Sequence, residues 1–519
     1  MANPPPPYDN ITGISRAVMK DNAQETLANY NGNARPGELV VDQTTSVVYV
    51  GNALGDLTAV ATPGGVTTWA LLGDKDGAAG PTIIALGQSA GLAGQANAAI
   101  ALGQSAGQGG QGGAAISIGL NTGGNTTQGA GAIAIGSSAG YDGQGVNAVA
   151  IGLSTATTLQ GARSVAIGQS SGQSNQGADA VAIGQYAGNE IQGAGAIAIG
   201  DNAGYTSQST AAVAIGADAG LSAQGEATVA LGFAAGRTSQ GNAAVAVGQN
   251  SGYLLQGIHA VAIGTDAGSN TQGSSAVAVG YLAGYTGQGI DAVAIGNSAG
   301  LTNQGQYSIA IGSGAGNSVQ GASSVAVGVE SGANTQGAGA VAVGPYAGSI
   351  TQGAEAVAVG AEAGNVSQGG SAVAIGGYAG SNSQGIGAVA VGPYAGQDNQ
   401  GLFSVAIGQL AGFVTQGGYS VAIGHAAGGG TQGNRAVAIG ASAGSLNQGI
   451  SAVAIGNSAG VSNQGNNSII INATGANLDQ TTANTFTVKP VRNGGSSGLP
   501  AGFYQMAYNP TTGEIVYYT

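Results

Sequence analysis

Two histidines, no cysteine and a thin scatter of carboxylates are all that this 519-residue chain offers toward a reactive centre. His259 and His425 could act as general bases or bind a metal, but about ten repeat units separate them. Solvated turn positions account for both. Asp218, Asp266, Glu330 and Glu362 occupy one shared position of the repeat, yet they skip units, so they form no regular carboxylate ladder. The Gly-Gly-x-Gly-x-Asp calcium repeat is absent. The glycine-rich phrases are not followed by helices, so they read as turns and not as phosphate loops. No catalytic residue, cofactor or metal is expected, and the chain does not read as an enzyme. Tyrosines are better placed for binding. Tyr141, Tyr205, Tyr253 and Tyr285 share one repeat position, and Tyr186, Tyr346, Tyr378 and Tyr394 share another. Aromatic faces stack on sugar rings and anchor protein contacts, which makes the first four surface-binding candidates. Packing between tyrosines of neighbouring units explains the same residues without a ligand.

The element that must position all of these is one phrase, Ala-Val-Ala-Ile-Gly-x-x-Ala-Gly-x-x-x-Gln-Gly, clearest from Ala180 to Gly193. We number each repeat from the glycine that closes its Val-Ala-Ile segment. That glycine recurs every 16 residues from Gly136 to Gly456, giving 21 in-register copies, with Gly87, Gly103 and Gly119 before them. A period this short is a stacked β-coil, because a helical hairpin repeat needs more residues. The predicted fold is all-β: a parallel β-solenoid of about 24 coils, each with one short strand and its turns.

Val or Ile holds position fourteen and Ile, Val or Leu position sixteen, while position fifteen is Ala from Ala150 to Ala454 and position thirteen is Ala, Ser or Thr. Branched residues in alternation make a strand. Alanine suits the inside of a narrow, flattened coil, which turns Val149, Ile151, Val165, Ile167, Val181 and Ile183 outward as a candidate oligomer seam. Strands stacked at about 4.8 Å would carry such a seam for roughly 110 Å. Soluble monomers tolerate only a few hundred Å² of continuous apolar surface, so a homotrimer is expected. The opposite assignment, with Val and Ile inside and Ala outside, would remove the seam. Position nine is Gln throughout, including Gln144, Gln160, Gln176, Gln192, Gln208, Gln224 and Gln240. One amide per coil can bond to those above and below, so this column reads as a structural ladder.

Composition excludes several classes. Charged residues make up 6%, and nine basic residues stand against 22 acidic ones, a net charge of −13. Nucleic acid would select the opposite sign. No apolar run approaches the ~18 residues of a membrane span, so no membrane insertion is expected. The N-terminus has no basic region followed by an apolar stretch and does not read as a signal peptide. These features suit a chain assembled into a particle inside a cell.

Four regions follow. Residues 1–34 form a proline-rich arm in which Ile14–Tyr30 could be a short helix or irregular. Residues 35–80 carry two apolar runs around Asp42–Thr45, a β-hairpin attachment module, and a linker with the only tryptophan, Trp69. Residues 82–472 are the solenoid shaft, and 473–519 end in two alternating strands around Asn509–Gly513, a β cap. The Pro-Gly-Glu-Leu and Tyr-Val-Gly-Asn phrases of the hairpin resemble small β modules near the N-termini of phage and large-virus fibre proteins. The Ala-Val-Ala-Ile-Gly strand resembles the head repeat of trimeric autotransporter adhesins. That resemblance implies a left-handed coil and a trimer, although the repeat here is slightly longer and carries a Gln-Gly turn. The final segment resembles the stretch that precedes a self-cleaving chaperone in many viral fibres. Together these imply a virion fibre or spike, displayed on the particle surface. It would be held to other virion proteins by its N-terminal region and be able to meet a host-surface glycan or protein. The alternative is a cellular adhesin or extracellular filament subunit.

Overall fold

A computed structural model describes residues 83–491, apart from residue 93, together with short strands on either side. The chain divides into two compact units, Met1–Leu282 and Ala283–Thr519. Both are parallel β-solenoid, with about 25 turns of ~16 residues in all, and the described residues contain no helix.

The coil around Gly184 shows how the sequence makes a turn of the stack. Val181–Ile183 pairs in parallel with Ile197–Ile199, residue for residue at a spacing of 16. Between them the chain turns at Gly184–Gly188, runs through a second short strand, Glu190–Gln192, and turns back at Gly193. That second strand pairs with Thr206–Gln208 of the next coil through Gln192 and Gln208. From Asp142–Gln144 to Thr431–Gln432 each coil therefore has two strands, where the sequence suggested one strand with turns, and isolated bridges continue the second ladder at either end. The second strand has no branched or alternating pattern, and its fixed residue is only the terminal glutamine. Among the described residues the first unit stacks thirteen Val-Ala-Ile strands and the second twelve, counting conservative variants.

The apolar part of the interior is made almost entirely of methyl groups. Ala182, Ala187 and Ala196 are fully buried, as are their counterparts along each unit. Alanine fills this place in the repeated coils, and at the end of the repeat Ile470 takes it and is also fully buried. At position thirteen, serine or threonine is tolerated because its hydroxyl bonds back to the preceding turn: Ser164 Oγ donates to the Gly161 carbonyl at 2.7 Å and Thr228 Oγ1 to that of Gly225 at 3.0 Å. Valine and isoleucine of the same strand point away from this interior. Val181 is half-buried and Ile183 is 36% exposed. Of the two assignments open from the sequence, the coils adopt the one with alanine inside.

The three recurrent glycine positions, broken in the 21 copies only by Ala156 and Ser209, each have a steric reason beyond the turn itself. A Cβ on Gly184, whose φ is +129°, would stand 2.5 Å from the Gly200 carbonyl oxygen of the next coil. A Cβ on Gly188 would stand 2.8 Å from the Gln192 amide. At the third, a Cβ on Gly193 would stand 2.5 Å from the Ser209 carbonyl carbon of the next coil. The first and third let backbones approach between coils, and the second leaves room for the glutamine. Position three adopts the same left-handed region with many residue types, including Tyr186 at φ 56° and Asp218 at φ 56°. Stacking fixes the turn geometry there regardless of local preference.

The ladder runs one strand past Asn472, where the repeat phrase ends: Ile469–Asn472 pairs in parallel with Phe486–Lys489 at a spacing of 17. Leu39–Asp42 and Val47–Gly51 pair antiparallel, as the expected hairpin requires, and Leu57–Ala59 adds a third strand. Ala17–Met19 is a strand parallel to Leu39–Val41, where the sequence suggested a helix or an irregular arm. The remainder of residues 1–34 and the linker with Trp69 lie outside the described residues. Gln505–Tyr508 pairs antiparallel with Ile515–Tyr518, the two strands expected of the terminal cap, while the connection between them lies outside the described residues.

Candidate functional site

Three columns run up each unit: glutamines within, aliphatic side chains on one outer face, and polar or aromatic residues along the turn edge. Gln144, Gln160, Gln176, Gln192, Gln208, Gln224 and Gln240 are all between 1% and 3% exposed. Each ends a second strand and crosses the interior to the opposite one. Gln208 Nε2 donates to the Ile197 carbonyl at 2.8 Å and to that of Ala212 at 3.1 Å. The same cross-link joins Gln144 to Ile133, Gln160 to Val149, Gln176 to Val165, Gln192 to Val181, Gln224 to Val213 and Gln240 to Val229. Amide-to-amide bonds of 3.1 Å link Gln160 through Gln176 and Gln192 to Gln208, and one of 3.2 Å links Gln224 to Gln240. The Oε1 atoms of Gln160 and Gln224 receive no donor, so the amide run restarts at those coils. The larger contribution is thus the cross-link between the coil's two sheets, which backbone pairing alone does not supply.

On the outer face Val149, Ile151, Val165 and Val181 are half-buried, and Ile167 and Ile183 are each 36% exposed. Leu231, Ile263, Ile311, Ile375 and Ile439 repeat this exposure at position sixteen, up to 42% at Leu231. No charge interrupts positions fourteen and sixteen between Val149 and Ile455.

Along the edge the four tyrosine candidates separate. Tyr205 packs edge-on against Tyr186, with centroids 6.2 Å apart. Tyr253 lies under the Arg237 guanidinium, 5.4 Å from its ring centre, and its hydroxyl accepts from that group at 3.1 Å. Tyr205 and Arg237 line one groove of the first unit, and Tyr253 lies against Arg237. Tyr141 stands coils away, and Tyr285 belongs to the second unit. The second unit holds aromatic contacts that the position-six tyrosines did not point to. Tyr378 and Tyr394 stack face to face at 5.1 Å, Phe413 meets Tyr394 edge-on, and Phe403 packs on Tyr419 at 5.6 Å. A spacing of 16 between like residues was the available signal for two of these pairs.

The same spacing explains the charges. Asn202 Nδ2 donates to Asp218 at 3.2 Å and Asn250 Nδ2 to Asp266 at 3.0 Å, each from the coil before. Arg163 and Asp179 form an exposed bidentate pair at 2.6 and 2.7 Å. The hydrogen bond from Arg163 holds the Asp179 carboxyl below the ordinary aspartate range. Glu362, first by hydrogen bonding and then by its charge, pushes the Tyr378 phenol up. His259 and His425 sit in exposed turns. The described residues contain no group of three or more side chains suited to a metal, and no helix long and apolar enough to cross a membrane.

No protein-family model, curated protein or solved structure matches this chain. The coil geometry and its surface columns are therefore the whole basis for a functional reading.

Proposed function

We propose that this chain is the structural protein of a virion fibre or spike. It assembles as a homotrimer, is displayed on the particle surface, attaches to other virion proteins through its N-terminal region and contributes to host attachment. The observation that carries the reading is the uninterrupted aliphatic outer face. Each coil leaves on the order of 100 Å² of valine and isoleucine surface exposed, so a unit presents on the order of 1,000 Å² in one direction. That is more than the roughly 800 Å² per partner of a standard protein interface. A surface of this size, with alanine already filling the coil's own interior, favours copies of the same chain as its cover. Parallel ladders cross-linked by buried glutamines favour a stiff element, and three copies would multiply weak contacts at a target surface.

The purified chain should behave as a trimer in solution and should be recovered with intact particles, in stoichiometric amounts, when virions of the source are isolated. A monomer that stays soluble with its outer face bare would overturn the assembly. A trimer never found in particles would instead support the second reading, a cellular adhesin or extracellular filament subunit.

A further inference from the structure

One stretch of the turn edge in the first unit gathers aromatic and charged side chains from successive coils. Across the coils that begin at Gly200, Gly216 and Gly232 lies an open groove of about 480 Å³, lined by Asn202, Tyr205, Thr206, Asp218, Ser222 and Arg237 together with Leu221. Its polar groups are held in place before any ligand arrives. Asp218 accepts from Asn202 and lies 4.0 Å from the Arg237 Nε. Arg237 is held from the other side by the Tyr253 ring and hydroxyl. Thr206 Oγ1 donates to Ser222 Oγ at 3.3 Å. Tyr205 is fixed by Tyr186. Ordering these side chains therefore costs a ligand little.

The geometry points to a binding site for a neutral oligosaccharide, two or three pyranose units long, laid along the stack with one sugar on the Tyr205 ring. A half-buried aromatic ring offers a surface for the C–H face of a pyranose. A carboxylate beside a guanidinium offers paired acceptors and donors, the complement of neighbouring hydroxyls that each donate and accept. The coil spacing of about 4.8 Å is close to the length of one pyranose, so successive sugars meet equivalent positions on successive coils. Asp218 disfavours an acidic sugar, because a second carboxylate would have to share the single Arg237 guanidinium that Asp218 and Tyr253 already engage.

The proposal deepens the attachment reading and rests on it for its biological use, while the sugar contact itself can be examined on the purified full-length chain alone. Saturation-transfer NMR with cellotriose, maltotriose and α-mannotriose, and with 3′-sialyllactose as the acidic comparison, is the test. At least one neutral trisaccharide is expected to bind at millimolar strength, with transfer concentrated on one face of one ring. Tyr205→Ala and Asp218→Asn should each weaken that binding at least tenfold. Thr206→Val, a milder change inside the groove, should weaken it several-fold, and Leu301→Ala, at the same repeat position as Tyr205 in the second unit, should leave it unchanged. Thermal melting equal to the parent confirms that each variant is folded. Failure of all three neutral sugars to bind, binding that survives the three groove variants, or preference for sialyllactose would each overturn the site. Loss of the site would leave the trimer untouched, and a monomeric chain that still binds sugar would instead remove the fibre while keeping the groove.

Discussion

Gln192 donates its side-chain amide to the carbonyl of Val181 at 2.9 Å, joining the two strands of a coil across an interior otherwise made of alanine methyls. It also donates to Gln208 Oε1 of the next coil. Replacing it with leucine, Gln192→Leu, removes the cross-link and takes their buried amide partner from Gln176 Nε2 and Gln208 Oε1. A loss of about 1–3 kcal/mol is expected. Because solenoid coils interact with their neighbours, hydrogen exchange should quicken mainly in the coils around residue 192. Gln192→Glu should destabilise more at neutral pH than in acid, since a carboxylate at that position would be buried without a cation.

Glycine substitutions should divide by position. Gly184→Ala places a Cβ against the Gly200 carbonyl oxygen in a backbone conformation that alanine resists, and should lower the melting temperature. Ala227→Gly should do the reverse. Ala227 holds φ 54° in an exposed turn, and relieving a left-handed alanine is expected to stabilise by about 0.5–1 kcal/mol. Paired thermal melts of the two variants check the opposite signs.

The Arg163–Asp179 pair predicts a small acid-side effect. With its folded carboxyl depressed by Arg163, Asp179 adds stability above the unfolded aspartate range and loses it as pH falls through the folded value. Both groups are exposed, so the effect should be slight and should fade in high salt. An NMR titration of Asp179 should show its midpoint return to the ordinary range in Arg163→Ala.

On the outer face, Ile167→Asp and Ile183→Asp should leave the coils intact, because neither side chain contributes to the alanine interior. Circular dichroism should be unchanged while the assembled mass falls. Ala182→Leu should have the opposite profile: the added bulk cannot fit between the two sheets and should cost stability by overpacking.

The coil and its period were legible because branched residues such as Val181 and Ile183 alternate with Ala182 every 16 residues, a pattern that only strand stacking satisfies. The direction of the alternation was not settled by pattern alone, since neither face of that strand is polar. The second strand was hidden because Glu190 and Ile191 have no counterpart in other coils, and only Gln192 repeats. Its burial follows from what lies opposite: the carbonyl of Val181 and a space that Gly188 keeps open. The edge groove was only half visible. Tyr205 and Tyr253 stood out by type, but Arg237, which shares their repeat position, meets Asp218 of position three and the Tyr253 ring only once neighbouring coils are stacked.

The mass of the native assembly in solution, by light scattering or sedimentation, bears most directly on whether sister chains cover the aliphatic face. Three times the chain mass of 49.0 kDa, falling to a single chain mass in Ile167→Asp/Ile183→Asp, is the predicted result. A parent protein that sediments as one chain, soluble and folded at micromolar concentration, would contradict it.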